Sequence, residues 1–366
     1  MIPIETAWWA PGRINLIGEH TDYNGGLVLP FAVPWGVTAR VAGRPDGTVR
    51  VSSAQRPGRE VTVPLEELRP GTPDGWASYA AGVLWALRRA GHPVGGVSIR
   101  LDSDLPEGAG LSSSAALECA VAAALDDLWA LGLTRVELAR VAQRAENDFA
   151  GAPTGILDQS AAMLARAGHA VLIDTRDLAS TLVPFDLAAA GLRLLIADTG
   201  VAHEHRTGGY RARREECERA ARALGVPVLG DAPPGARTGD PVLDRRIRHV
   251  RTENARVRET VDLLAGGRVR AIGPLLTASH ASLRDDYEVS WPEADLAVER
   301  ALAAGALGAR MVGGGFGGSV IALVEEAAST TVRTSVEAAF KAEGHGAPRF
   351  LSATPAPGAH RLNEGR

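Results

Sequence analysis

From Gly12 to Tyr23 the chain reads Gly-Arg-Ile-Asn-Leu-Ile-Gly-Glu-His-Thr-Asp-Tyr, gathering an arginine, two carboxylates, a histidine and an amide just after an apolar stretch. Such groups accept and donate hydrogen bonds at fixed positions, which is how hydroxyl geometry is read. Arg13, Glu19, His20 and Asp22 therefore suit a polyhydroxylated ligand. Taken alone, His20 serves equally well as a structural loop histidine.

A second cluster lies between the strand-like Ser98 to Leu101 and an Ala/Leu-rich helix candidate running from Ser112 to about Leu131. It comprises Pro106, Glu107, Gly108, Ala109, Gly110, Leu111, Ser112, Ser113 and Ser114. Glycines allow close backbone approach, and the helix N-terminus offers unpaired N–H groups and the positive end of a dipole, so phosphate binding needs no lysine here. Without further context an ordinary capped glycine-rich turn is the simpler account. Each serine could cap the helix, and Ser114 is the candidate for a magnesium ligand beside Glu146, which flanks the apolar face of the next helix. Periodicity alone makes Glu146 a solvated charge and Asp158, in Gly155-Ile156-Leu157-Asp158-Gln159, a first-turn helix acid.

A third segment, Gly313-Gly314-Gly315-Phe316-Gly317-Gly318, fits the G-x-G-x-x-G pattern of dinucleotide sites. That pattern should open a helix, whereas Ser319 to Val324 is β-rich and apolar, so a Rossmann site is rejected. Lys341 is the single lysine and has no glycine-rich context, which disfavours Walker-type and protein-kinase-type sites. The triplet His203-Glu204-His205 lacks the i, i+4 histidine spacing of a helical zinc site and reads as a polar loop.

The elements that must hold these groups are partly legible. Strand-like runs lie at Gly36 to Ala42, Val94 to Leu101, Ala170 to Ile173 and Leu192 to Ala197, with a later pair at Ala309 to Val312 and Ser319 to Val324. Thr134 and Glu137 form a capping box for a helix ending at Gly151. Further helices are expected at Arg206 to Leu224, Pro241 to Leu264, Arg268 to Ser279 and Glu293 to Ala304, with a Pro/Gly-rich loop from Gly230 to Asp240. The arginine-rich run from Arg245 to Arg258 reads as a solvated helix face.

At 366 residues the chain exceeds one average core, and two domains are the better prior. Its two cysteines, Cys119 and Cys217, give no disulfide framework and suit a reducing compartment. The N-terminal residues lack the pattern of a secretory signal, and no stretch approaches a membrane span, so the expectation is a cytoplasmic protein. A formal net charge of −4 argues against a general nucleic-acid surface.

The three segments, in this order and joined by Ala145-Glu146-Asn147 and His280 to Asp286, resemble the galactokinases of the GHMP small-molecule kinase superfamily. Gly-Glu-His-Thr-Asp-Tyr resembles a galactose kinase rather than a mevalonate or homoserine kinase. The resemblance implies an α+β, two-domain GHMP fold with the active site in the cleft between the domains. One domain would span 1–183 with 345–366 returning to it, including a final strand near Phe350, and the other 184–344. It implies phosphorylation of D-galactose at its C1 hydroxyl by ATP with Mg2+, the first committed step of galactose catabolism.

By the same resemblance Asp158 and Arg13 are catalytic, with Asp158 facing the C1 hydroxyl, and Glu19, His20, Asp22, Gly155 and Tyr210 contact the sugar. Residues Pro106 and Gly108 to Ser114 hold ATP, and Ser114 with Glu146 holds the metal. The glycine loop at Gly313 lies near the active site, and the expected partners are galactose and Mg-ATP on a monomer. Tyr210 has simple helix packing as its other reading. A kinase for N-acetylgalactosamine or arabinose, and a non-catalytic galactose/ATP sensor, are the alternatives; the intact Ser112 to Ala116 run, Arg13 and Asp158 disfavour the sensor.

Overall fold

The computed structural model describes residues 5–106, 108–201 and 206–362, with the side chains at 206 and 207 left aside. The His203-Glu204-His205 triplet and Glu107 therefore lie outside the described residues.

Among the described residues there are three sheets, and mixed helix and strand content gives the expected α+β class. The first has six strands in the order His360–Arg361, Glu5–Asn15, Pro30–Arg44, Gly96–Ser103, Thr48–Ser53 and Val61–Pro64. Its pairings are antiparallel except that Thr48–Ser53 runs parallel to Gly96–Ser103. Against it packs the helix Ser113–Trp129, supported by Ala77–Arg89, Arg135–Arg144 and Leu157–Leu164. Alanines 115, 116, 120, 122, 123 and 124 are all buried, so this helix is covered nearly all round and lies close on the strands. Small residues that are also strong helix formers allow both at once.

The second sheet has the order Gly308–Val312, Ser319–Glu325, Leu192–Asp198, Arg349–Ser352, all antiparallel. Helices Gly273–Asp285, Pro292–Ala303 and Ser329–Ala342 cover it. A third, small sheet joins Leu27–Val28, His169–Asp174 and Ser180–Pro184. Leu194, Ile196, Ile321 and Leu323 of the second sheet belong to the same buried cluster as Ile14, Phe31 and Leu87, so apolar packing is continuous across the two large sheets. Among the described residues, no helix is long and apolar enough to cross a membrane.

Several expectations need correction. The strand near Phe350 does not return to the first sheet: Phe350 pairs with Ala197 in the second, and the return comes at His360–Arg361 against Trp8 and Trp9. A short apolar strand carries no signal of which edge it joins. The helix expected at Arg268 to Ser279 begins later, as Gly273–Asp285 after a 3-10 turn at Val269–Ile272. Pro274 dictates this, because proline is accommodated in the first helical turn and breaks a helix interior.

The Arg245 to Arg258 run is not wholly a solvated face. Arg246 is buried and donates to Glu216 Oε2 and Glu288 Oε2, both at 2.7 Å, and to the Asp286 carbonyl. The Thr134 capping box forms, but its α-helix stops at Arg144 and continues as a π-turn, Ala145–Phe149. Helices Ala77–Arg89 and Ser329–Ala342 were not anticipated; neither has a side-chain cap, and the second runs straight on from a 3-10 turn at Glu326–Ala328.

Candidate functional site

All three segments meet at one cleft of about 780 Å³. The first reaches it through a break in pairing: the register of Glu5–Asn15 against Pro30–Arg44 shifts between Pro11 and Arg13. Such a bulge re-aims a side chain. Gly12 is the residue left without a partner, and Arg13, back in register opposite Ala32, bonds its N–H to the Leu111 carbonyl at 3.1 Å and extends Nη1 to the Gly110 carbonyl at 3.0 Å. The remaining guanidinium face grips Asp158 through Nε–Oδ1 at 2.6 Å and Nη2–Oδ2 at 2.8 Å. This fork-on-fork geometry is the strongest form of ion pair and fixes the orientation of the carboxylate.

Ser112 adds a third bond to Asp158, from Oγ to Oδ2 at 2.5 Å. Its backbone is left-handed, with φ 59° and ψ 54°, a conformation that costs a non-glycine residue about 1 kcal/mol or more. The expectation that a serine caps the Ser113–Trp129 helix is not met: no side-chain cap bond forms, because Ser112 turns to Asp158 and Ser114 donates to Glu146 Oε1 at 2.7 Å. Pro106, Gly108, Gly110, Leu111, Ser112, Ser113 and Ser114 line the cleft. Ala109 does not: it is buried, and its carbonyl accepts from Ser319 Oγ at 2.8 Å.

Glu146 owes its inward position to the π-turn, marked by the bond from Ala150 N to the Ala145 carbonyl at 3.0 Å. Such insertions are frequent at functional sites because they rotate one side chain out of helical register. Its second oxygen accepts from Gln159 Nε2 at 2.6 Å and Thr154 Oγ1 at 2.9 Å. Burial raises the Glu146 carboxyl above its usual range, and the charge of Asp158 adds to this, against the opposing bond from Ser114. A hydroxyl and a carboxylate side by side on the cleft wall form a hard-oxygen pair of the kind magnesium takes.

The sugar segment is held from both sides. Glu19 accepts from Asn15 Nδ2 at 3.1 Å and from the Gly313 N–H at 2.9 Å, and Arg310 Nη2 stands 3.4 Å away. Thus Arg13 ties the first segment to the second, Ser319 the third to the second, and Glu19 the first to the third. His20, also left-handed at φ 61°, shares a hydrogen bond at 2.8 Å between Nδ1 and the Tyr23 hydroxyl. The Tyr210 ring lies 5.5 Å from both the His20 and the Tyr23 rings. Burial, aided by the charge of Asp158, pushes the Asp22 carboxyl up to about 7. Gly155 makes this packing possible, since a Cβ there would lie 1.6 Å from Asp22 Oδ2.

Arg13, Glu19, His20, Asp22, Gly155, Asp158 and Tyr210 all line the same cleft. Sequence reasoning missed the layer behind them. Arg310 is wholly buried and donates to the Asn15 and Leu16 carbonyls at 3.0 and 3.1 Å. Glu253 accepts from the Gly18 N–H at 2.9 Å, Asn254 from the Leu27 N–H at 2.7 Å, and His249 Nε2 lies 3.1 Å from the Glu19 carbonyl. An arginine within the apolar strand Gly308–Val312 was the available signal. Trp76 and Tyr79, which also line the cleft, were missed and had none.

Sequence models of the GHMP kinases match this chain, the N-terminal domain over residues 78–166 and the C-terminal domain over 260–342. The galactokinase galactose-binding signature matches residues 3–43. A galactokinase of Streptomyces coelicolor is 53% identical over 98% of this chain and 94% of its own, and one of Mycobacterium bovis is 46% identical over 96% and 98%. The crystal structure of Lactococcus lactis galactokinase complexed with galactose superposes with a TM-score of 0.92 at 34% identity, covering 98% of this chain and 95% of that one. Methanococcus jannaschii mevalonate kinase, at 17% identity and a TM-score of 0.68 over 96% of this chain and 98% of its own, shares the fold. The fold and the cleft define a GHMP kinase. Within that class, the chain belongs to the galactokinase family.

Proposed function

We infer that this protein transfers the γ-phosphoryl group of ATP to the C1 hydroxyl of D-galactose, yielding galactose 1-phosphate and ADP. The observation that carries the reading is the placement of Asp158, gripped by Arg13 and touched by Ser112 at the junction of the sugar segment and the phosphate loop. A sugar hydroxyl lodged there faces a fixed acceptor on one side and the phosphate loop on the other. Phosphoryl transfer passes through a loose transition state that asks little early deprotonation of its nucleophile. Asp158 therefore acts chiefly by aligning the hydroxyl and accepting its proton late, while Arg13 offsets the negative charge gathered between carboxylate and phosphate.

The phosphate chain of ATP lies along Gly108 to Ser113, against the start of the Ser113–Trp129 helix, and the base reaches toward Trp76 and Tyr79. Ser114 and Glu146 hold the magnesium ion, which when bound neutralises phosphate charge. Glu19, His20, Asp22 and Tyr210 read the sugar hydroxyls, and Gly155 admits Asp22 to that position. The reaction belongs in the cytoplasm, where ATP and reduced thiols coexist.

Specificity constants for galactose, glucose, N-acetylgalactosamine and arabinose test the reading. A lost buried hydrogen bond costs roughly 1–3 kcal/mol, so inverting the C4 hydroxyl should reduce turnover of glucose about 5- to 150-fold per contact. A higher constant for any other sugar would replace galactose as the substrate.

A further inference from the structure

Two residues beside the cleft defy the preferences of the elements that hold them. Gly209 lies in the first turns of the helix Arg206–Leu224, next to Gly208, although alanine is the better helix former. Phe316, the one non-glycine residue from Gly313 to Gly318, adopts φ 58°, a region that side chains disfavour.

A single contact accounts for both. A Cβ built on Gly209 would lie 2.6 Å from Cε2 and from Cζ of Phe316 and 2.9 Å from Cδ2. The ring fills the space that an alanine methyl would need. Gly208 is different: among the described residues, nothing beyond its chain neighbours and its own helix backbone comes within 4 Å of its Cβ position. Phe316 is itself anchored, its N–H donating to the Val289 carbonyl at 2.9 Å.

Both partners are one step from the cleft lining. Tyr210 directly follows Gly209 and lines the cleft within ring contact of His20 and Tyr23. The loop bearing Phe316 begins at Gly313, whose N–H is bonded to Glu19. One glycine loop therefore touches two walls of the same site.

We propose that Phe316 is a positioning residue: its ring, seated in the socket left by Gly209, sets the first turns of the Arg206–Leu224 helix and thereby where Tyr210 meets the sugar. This rests on the reading of the cleft as a galactose site. The left-handed backbone of Phe316 is the conformation that turns the ring toward the helix, and the missing Cβ of Gly209 is what receives it.

The test is a size-swap cycle of Gly209→Ala, Phe316→Ala and the double variant, with Gly208→Ala as control, measured by thermal midpoint and by KM and kcat for galactose and ATP. Gly208→Ala should raise the midpoint, as alanine does at an open helical position. Gly209→Ala should lower it when Phe316 is present and raise it when residue 316 is alanine. The same variant should raise the galactose KM about tenfold or more while the ATP KM stays near wild type, and the double variant should return to the behaviour of Phe316→Ala. An effect of Gly209→Ala with the same sign in both backgrounds, or an unchanged galactose KM, overturns the proposal. Wild-type protein is assayed first: failure to phosphorylate galactose would reject the functional reading, whereas a missing sign reversal rejects the socket whatever the substrate.

Discussion

Gly155→Ala isolates one link between backbone and sugar recognition, because the added methyl meets the Asp22 carboxylate first. Its Cβ would lie 1.6 Å from Oδ2 and 2.3 Å from Cγ of Asp22. An ordinary carbon–oxygen contact is about 3.3 Å, so the oxygen must retreat by roughly 1.7 Å. A misplacement of about 1 Å near a reacting centre costs on the order of 100-fold, which sets the expected loss in kcat/KM for galactose. The loss should fall mainly on KM, because Asp22 reads the sugar while Asp158 and the phosphate loop keep their bonds to Arg13. Calorimetric titration with galactose, steady-state kinetics and a thermal melt together measure this. A folded Gly155→Ala protein that binds galactose like wild type would refute the idea that this glycine exists to admit Asp22.

Asp158→Asn should keep the fold and much of the galactose affinity while turnover drops by about two orders of magnitude or more; near-normal single-turnover phosphorylation would remove both its aligning and its proton-accepting role. Glu146→Gln and Ser114→Ala should raise the magnesium concentration needed for half-maximal rate and leave galactose binding intact, and the reverse pattern would show that this pair does not hold the metal. Asp22 titrates at about 7 in the folded protein against 3.8 for the free side chain. If its ionised form accepts sugar hydroxyls, galactose affinity should weaken below pH 7 by up to about tenfold per unit, and Asp22→Asn should flatten that profile. Its effect on stability has the opposite sign: a raised carboxyl contributes most below the unfolded value of 3.8, and that contribution is lost as pH rises through 7.

Local signals were legible where they act locally. Thr134 and Glu137 make the predicted box, the helix Arg206–Leu224 has the expected ends, and the β-rich run after Gly318 forms the strand that excludes a dinucleotide fold. The cleft residues were readable because their types are unusual in combination and their order matches a known family. What the sequence concealed depends on distant partners. Ser112 looked like a cap, and only the approach of Asp158 draws its hydroxyl away. Glu146 looked solvated because a 3.6-residue period cannot register a π-turn. Arg246 looked exposed until Glu216 and Glu288, each from another segment, met it. Phe350 needed the edge of Leu192–Asp198 to be open before its sheet could be known.

The most direct measurement follows phosphorus in a mixture of the purified protein, ATP and magnesium, with and without D-galactose, by ³¹P NMR. ATP should be stable until galactose is added, after which ADP and a sugar phosphate esterified at C1 should accumulate in equal amounts. ATP that is untouched in the presence of galactose, or a phosphate carried on any other hydroxyl, would contradict it.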